Sequence, residues 1–138
     1  MASIKPRVQP DDLDLAFFNA VAAAGKLCLQ HCLDCGTWTH PARYYCPKCS
    51  SDNQAFEPVS GKATIHSYTI SHFSVEKQWK DLVPYAAIVA ETDEGPRLVT
   101  RTDIPRERIV IDQPIRLRVE VMDEEFSFVW SYLPEGLA

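Results

Sequence analysis

The sequence contains no long hydrophobic run. Its longest apolar stretch lies around residues 20–24, which is far too short to cross a bilayer as a helix. The segment before this stretch is acidic, whereas a secretory signal begins with basic residues, so nothing directs export. We therefore expect a cytoplasmic protein that does not contact a membrane.

Positive charge is also scarce. Lys and Arg number 14 against 19 Asp and Glu, which gives a formal net charge of −5. This balance opposes nonspecific attraction to phosphate backbones, so an anionic ligand needs a local basic patch. Hydrophobic residues make up 46% of the chain, a fraction typical of a folded protein. Its 138 residues suffice for one domain of ordinary size with a small additional module.

The common catalytic patterns are missing as well. The sequence has no paired carboxylates in an acid/base frame, no nucleophile elbow and no glycine-rich phosphate loop. We therefore expect no enzymatic activity from the chain alone.

What the sequence does contain is four cysteines in two CxxC pairs, within HCLDCGTWTHPARYYCPKCS. Cys32 and Cys35 form the first pair, and Cys46 and Cys49 form the second, ten residues later. Two such knuckles direct four thiolates at one centre, a closed tetrahedral set suited to structural Zn²⁺. Disulfides are disfavoured because a chain without a secretory signal keeps its thiols reduced. Iron is the closer alternative, since CPKC resembles the rubredoxin knuckle.

The fifth cysteine, Cys28, lies in KLCLQHC, which is typical of a short strand that leads into the first knuckle. We expect its thiol to be buried and inert. The loop between the two CxxC pairs holds a group of aromatic and basic residues that either pack over the metal or contact a partner: Trp38, His40, Arg43, Tyr44 and Tyr45.

The rest of the chain has one helical segment and several strand segments. Apolar residues recur at helical spacing over residues 12–24, with Asp11 or Asp12 as the cap and Gly25 as the end. Residues 1–10 are predicted to be a mobile arm or a strap on a partner, and residues 50–62 a polar link. Five strands are predicted at residues 63–71, 85–92, 97–102, 115–121 and 126–133, with a small helical insert at 104–108. Five short strands favour a Greek-key OB-fold barrel, although a small sandwich is an alternative.

The last predicted strand carries an aromatic row on one face, consisting of Phe126, Phe128, Trp130 and Tyr132. OB-folds can stack single-stranded nucleic acid on such rows. A small barrel must also fill its interior with large side chains, and we therefore expect this row to form the barrel core.

Several segments together resemble one known family. They are GKLCLQHCLDCGTWTHPARYYCPKCSS, VSGKATIHSYTISH, PYAAIVAETDEGPRLVTRT and IDQPIRLRVE, and the resemblance runs over residues 17–121. The family is acyl-CoA-associated and joins a rubredoxin-like zinc ribbon to a C-terminal OB-fold. The resemblance implies a mainly β chain with an N-terminal arm and helix at 1–27, a zinc ribbon at 28–58 and a five-stranded OB-fold barrel at 59–138.

The resemblance also implies a function. Members look like non-catalytic subunits of thiolase-superfamily enzymes: thiolases, acyltransferases and the aldolases that shorten steroid side chains. We therefore predict a subunit that binds Zn²⁺ and a CoA thioester and forms a hetero-oligomer with a thiolase-like protein. A module that binds single-stranded nucleic acid is the alternative, which the net charge disfavours.

Two sets of contact residues follow from this prediction. The cations available for the CoA phosphates are Lys62, Arg97, Arg101, Arg116 and Arg118. The residues predicted to contact the partner are Phe17, Trp38, His40, Arg43 and Tyr44.

Overall fold

In the computed structural model, which describes residues 11–134 apart from the side chain of Gln78, the chain begins with a helix and continues almost entirely in strands. The arm predicted at residues 1–10 lies outside the described residues. In chain order the elements are α1 (Asp12–Ala24), β1 (Cys28–Cys32), β2 (Trp38–Thr39), β3 (Gln54–Pro58), β4 (Lys62–Ser71), α2 (Lys77–Lys80), β5 (Tyr85–Thr92), β6 (Arg97–Thr102), a 3₁₀ turn (Arg106–Arg108), β7 (Pro114–Asp123) and β8 (Phe126–Tyr132). Over residues 11–134, no helix has the length and hydropathy needed to span a membrane.

Helix α1 begins and ends at the predicted residues. The Asp11 carboxylate accepts a hydrogen bond from the Asp14 N–H at 2.8 Å, and Gly25 ends the helix with a φ of 65°. Such a positive φ is a conformation that glycine adopts without strain. Phe17 and Val21 are the buried residues of the helix, so α1 has one face on the rest of the protein.

The Asp11 cap supports a first prediction. Asp11→Ala removes the acceptor of the Asp14 N–H, and we expect it to lower the free energy of unfolding by about 1 kcal/mol. Urea titration followed by circular dichroism measures this loss. Asp11→Asn is the matched control, because asparagine caps helices equally well and should unfold close to the wild type. Equal losses in the two variants would show that the capping hydrogen bond contributes nothing.

A small three-stranded sheet follows the helix, in the order β2-β1-β3. The strand predicted at Cys28 is confirmed as β1. Cys28 is 2% exposed, as predicted, and burial raises the pKa of its thiol above the ordinary value. The polar link predicted at residues 50–62 is wrong over Gln54–Pro58, which forms β3 and pairs antiparallel with the whole of β1. A polar sequence forms a strand here because β1 supplies the backbone partners and Phe56 packs on the core.

The five predicted barrel strands are all present, and they close in the order β4-β5-β6-β8-β7, with β7 pairing back to β4. Closure confirms the OB-fold prediction over the sandwich. Alternating apolar residues of four strands fill the interior: Ile65, Ile88, Leu98, Ile115 and Leu117 are all at most 7% exposed. The predicted helical insert is a 3₁₀ turn, Arg106–Arg108, between β6 and β7.

The aromatic row of β8 is not in the barrel interior, and that prediction is wrong. Ser131 is 1% exposed, accepts a hydrogen bond from the Thr100 hydroxyl at 2.9 Å, and lies opposite the buried Leu117. Because side chains alternate along a strand, the row at 126, 128, 130 and 132 points outward. Branched residues of the other strands already fill the interior. Helix α1 covers part of the outward row, since the ring centroids of Phe18 and Phe126 are 5.3 Å apart.

Candidate functional site: a four-thiol centre and a basic strip on the barrel

The two CxxC segments fold into similar turns. The Gly36 N–H donates to the Cys32 carbonyl and the Ser50 N–H to the Cys46 carbonyl, each at 2.9 Å. A backbone N–H also approaches one sulfur of each turn, from Cys35 to Cys32 Sγ at 3.5 Å and from Lys48 to Cys46 Sγ at 3.4 Å. Donors of this kind stabilise thiolates, so both turns are built to present charged sulfur.

The four sulfurs meet at one point. All four Sγ atoms lie within 4.8 Å of one another, with 3.6 Å between Cys32 and Cys49 and 3.5 Å between Cys35 and Cys46. A zinc ion with Zn–S bonds of about 2.3 Å holds tetrahedral sulfurs about 3.8 Å apart. The arrangement fits a four-thiolate zinc site and does not form disulfides.

Cys35 is one of the two exposed cysteines of the cluster, and its thiol ionises more easily than an ordinary cysteine thiol. The Thr37 hydroxyl lies 3.1 Å from Cys35 Sγ, and hydrogen bonds from the Thr37 hydroxyl and N–H lower the pKa of this thiol to about 6. It is therefore mainly thiolate at neutral pH, which is the form that binds zinc. A closed set of four sulfurs leaves zinc no open position for substrate, so the chemistry of this centre is structural.

A second group of chemical interest lies on the outer face of the barrel. Lys62, Arg101, Arg116 and Arg118 form what we call the basic strip. Strand register places them together: Lys62 lies opposite Arg116, while Arg118 and Arg101 both lie beside Trp130 of β8. Cross-strand neighbours share a face of a sheet, so the four cations are on the same outer surface.

Aromatic rings lie against two of the three guanidinium groups of the strip. Arg101 lies 4.4 Å from the Trp130 ring centroid, 4.9 Å from that of Phe128 and 5.0 Å from that of Trp79, while Arg118 lies 5.1 Å from Trp130. Burial lowers the pKa of Arg101, and the nearby Glu120, Asp103 and Tyr85 oppose that change. The strip therefore contains arginines that are ordered by stacking and remain cationic.

Carboxylates also lie near the strip. Asp103 approaches Arg118 at 3.8 Å, and both side chains are well exposed, so this ion pair is weak. The Trp130 indole N–H donates to Glu120 Oε1 at 3.0 Å. Arg97, the fifth predicted cation, is separated from the strip and bonds to Glu91 Oε1 through its Nε at 3.0 Å. The structure therefore brings four of the five predicted cations together.

The predicted partner contacts divide into buried and exposed residues. Phe17 is 8% exposed and packs on His40, with 5.2 Å between ring centroids, and burial lowers the pKa of that histidine. Trp38 is half-buried and stacks on His31 at 4.1 Å. Arg43 is exposed, although its backbone bonds to Gln30. Tyr44 is 64% exposed and has the greatest freedom to contact another protein.

Sequence reasoning missed Trp79, the α2 residue that stacks on Arg101. The segment around it, SVEKQWKDL, shows no strand alternation, and a single Trp in a polar stretch is the only signal it gives. The contact joins residues 22 positions apart and depends on how the connection between β4 and β5 folds back.

Comparison with known proteins places the chain in a family. Residues 20–55 match the rubredoxin-like zinc ribbon domain of ChsH2, and residues 56–120 match its C-terminal OB-fold domain. The chain belongs to the ChsH2 family. The match includes all four metal-centre cysteines and the basic residues Lys62 and Arg118.

Individual relatives agree with this assignment. The chain is 30% identical over 111 residues to a DUF35 domain-containing scaffold protein of Methanothermobacter thermautotrophicus, covering 75% of this chain and 83% of the relative. It is 31% identical over 115 residues to a "Probable enoyl-CoA hydratase alpha subunit" of Thermomonospora curvata, covering 83% of this chain. It spans 35% of that larger protein.

Solved structures support the same fold. A chain of the Ltp2-ChsH2(DUF35) aldolase superposes with a TM-score of 0.74 at 28% identity, covering 92% of this chain and 97% of that one. A DUF35 protein of unknown function from Sulfolobus solfataricus superposes with a TM-score of 0.54 at 18% identity, covering 84% of this chain and 82% of that one. The latter supports only the fold.

Proposed function

We propose that the chain is a non-catalytic zinc-ribbon and OB-fold subunit that binds acyl-CoA and forms a hetero-oligomer with a thiolase-like enzyme. The observation that carries this proposal is the basic strip, which concentrates four cations on one face of a chain whose formal net charge is −5. A polyanionic ligand is the simplest reason for such a concentration.

The dimensions of the strip suit the phosphates of CoA. Neighbouring strands lie about 4.8 Å apart and alternate residues of one strand about 7 Å apart, so the strip extends over roughly 15 Å. The CoA moiety carries a diphosphate and a 3′-phosphate that are separated by a ribose. Arginine binds phosphate oxygens in bidentate fashion, and stacking on Trp130 orders two of these arginines before the ligand arrives.

Complex formation is supported by the closed geometry of the four-thiol centre and by the names of the relatives. The four-thiol centre is closed, so an enzyme that uses this subunit must obtain its reactive groups from a partner. One relative is called a scaffold protein, and one structural neighbour is an aldolase with two named components. Exposed apolar residues are available for a partner, and they include Tyr44 and Tyr45 on the ribbon, and Phe73 and Val75 before α2.

Single-stranded nucleic acid is less well supported. The outward row of β8 could stack bases only if its rings were accessible, but two guanidinium groups lie within 5.1 Å of the Trp130 ring and Phe126 and Phe128 are each 8% exposed. The row therefore does not offer the open ring faces on which successive bases stack.

Calorimetric titration of the chain with CoA tests the proposed ligand. Arg118→Ala is expected to weaken CoA binding at least tenfold, because a charge-assisted phosphate contact contributes about 1.5–3 kcal/mol. Arg97→Ala is the matched control: it removes an arginine from the outer face of the same barrel, but one that is bonded to Glu91, and it should bind CoA like the wild type. No CoA binding, or equal losses in both variants, would contradict the proposal.

The proposed partner is tested by co-expression with a thiolase-like protein from the same organism. We expect the two to elute together from a sizing column and the enzyme to lose activity when expressed alone. Separate elution together with full activity of the isolated enzyme would overturn the complex. Labelled single-stranded DNA in the same experiments should remain unbound.

A further inference from the structure

A cavity of about 330 Å³ lies between α1, the ribbon and the outer face of β5, β6 and β8. Its walls are mainly apolar and come from all three parts of the fold, including Phe17 and Phe18 of α1, Pro41 of the ribbon, Val99 of β6, and Phe126 and Phe128 of β8. The ring centroids of Phe126 and Phe128 are 4.7 Å apart, and those of Phe126 and Phe18 are 5.3 Å apart, so rings of α1 and β8 form one connected aromatic part of the wall.

The cavity adjoins the basic strip through one side chain. Arg101 lines the cavity together with Trp79, and the same guanidinium stacks on Trp130, on which Arg118 also stacks. An apolar cavity and a row of cations are therefore contiguous on one face of the protein. This arrangement complements a ligand with an apolar end and a polyanionic end.

We propose that the cavity binds the acyl group of the thioester whose CoA phosphates bind the basic strip. The inference rests on the proposed function, which it extends by naming the acyl class. At about 30 Å³ for each water-sized group, the cavity has room for on the order of ten such groups, which corresponds to an acyl chain of medium length or a small ring system. Apolar clefts of this size with one charged group at the edge are typical of small-molecule sites.

The cavity also selects the charge of the acyl group. Asp14 of α1 contributes a carboxylate to the lining. Arg101 is the arginine of the lining, and its guanidinium already interacts with the carboxylates of Glu120 and Asp103. A distal carboxylate would bring a second negative charge into the cavity beside Asp14, whereas a neutral acyl group avoids this repulsion.

Titration of the full chain with CoA, acetyl-CoA and octanoyl-CoA tests the inference. Each methylene buried in an apolar site strengthens binding about fourfold. We expect octanoyl-CoA to bind at least tenfold more tightly than acetyl-CoA, and an octanoyl group with a distal carboxylate to bind at least tenfold more weakly than octanoyl-CoA. Equal affinities for acetyl-CoA and octanoyl-CoA would overturn the inference.

Two substitutions on neighbouring outward positions of β5 locate the effect. Ala87 lines the cavity and pairs with Arg101, so Ala87→Phe should abolish the preference for octanoyl-CoA and leave CoA binding unchanged. Val89 lies on the same outer face and is not part of the lining, so Val89→Phe should keep the preference. Val99→Phe is a second cavity-filling variant at a residue that is 68% exposed, where folding tolerates a larger ring.

The outcomes separate this inference from the proposed function. Failure of CoA itself to bind contradicts the proposed function. Normal CoA binding without a chain-length preference, or a preference that persists in Ala87→Phe and Val99→Phe, overturns the cavity assignment alone. The cavity assignment is also overturned if the two variants no longer bind the partner enzyme but keep the wild-type acyl preference. That result would show that the cavity binds a side chain of the partner.

Discussion

Cys46→Ser is expected to remove the metal and to unfold the zinc ribbon. The serine hydroxyl is not ionised at neutral pH and cannot replace the thiolate in a four-sulfur site. Zinc binding contributes on the order of 10 kcal/mol or more to the folding of small metal-stabilised modules. The ribbon sheet has only three strands, one of them the two-residue β2, and it cannot bury enough apolar surface to fold without the metal.

Metal analysis and circular dichroism measure both consequences. The wild type should hold one equivalent of zinc and show no visible absorption, since ferric thiolate is coloured and zinc thiolate is not. Cys28→Ser is the matched control, because Cys28 is also buried but lies outside the four-thiol centre. It should lose some stability and keep its zinc. Full zinc content and wild-type melting in Cys46→Ser would contradict the assignment of the centre.

The barrel should survive the loss of the ribbon in Cys46→Ser. Its five strands form a closed hydrogen-bonded ring, and its interior is filled by its own residues, Ile65, Ile88 and Ile115, each 0% exposed. We therefore expect thermal unfolding of this variant to retain a cooperative transition from the barrel after the ribbon signal is lost.

Local signals account for the parts of the fold that were predictable from the sequence. The cap at Asp11, the glycine at the end of α1 and the CxxC spacing each act within a few residues, so they can be read without knowing the rest of the structure. The alternation of apolar and charged residues along β7 likewise indicates which of its side chains are buried. The alternation along β8 does not predict which of its faces is the inner one. That choice depends on how much of the interior the other strands fill.

Contacts between distant segments account for the parts that were not predictable. Strand β3 exists because β1 pairs with it, and its own residues are polar. The basic strip depends on the register of four strands, which groups Lys62 with Arg116 and leaves Arg97 bonded to Glu91. The sequence provides the cations, and only the closed barrel decides which of them become neighbours.

Phe17→Ala is expected to have the second-largest effect, and to act on stability. The Phe17 ring is 8% exposed and joins α1 to the ribbon through His40 and Phe56, at 5.2 Å and 6.2 Å between ring centroids. Truncating a buried phenylalanine costs about 3–5 kcal/mol. For a chain of this size that loss should lower the melting temperature by roughly 10–20 °C.

Comparison with Tyr44→Ala decides whether Phe17 acts inside the subunit or at its surface. Tyr44 is 64% exposed, so its truncation should change the free energy of unfolding by less than about 0.5 kcal/mol. If Tyr44 contacts the partner, Tyr44→Ala weakens the complex without changing the melting temperature, whereas Phe17→Ala binds the partner normally at temperatures where it remains folded. A Phe17→Ala protein that melts like the wild type but fails to bind the partner would show that this ring turns outward in the complex, because a buried ring cannot be removed without a loss of stability.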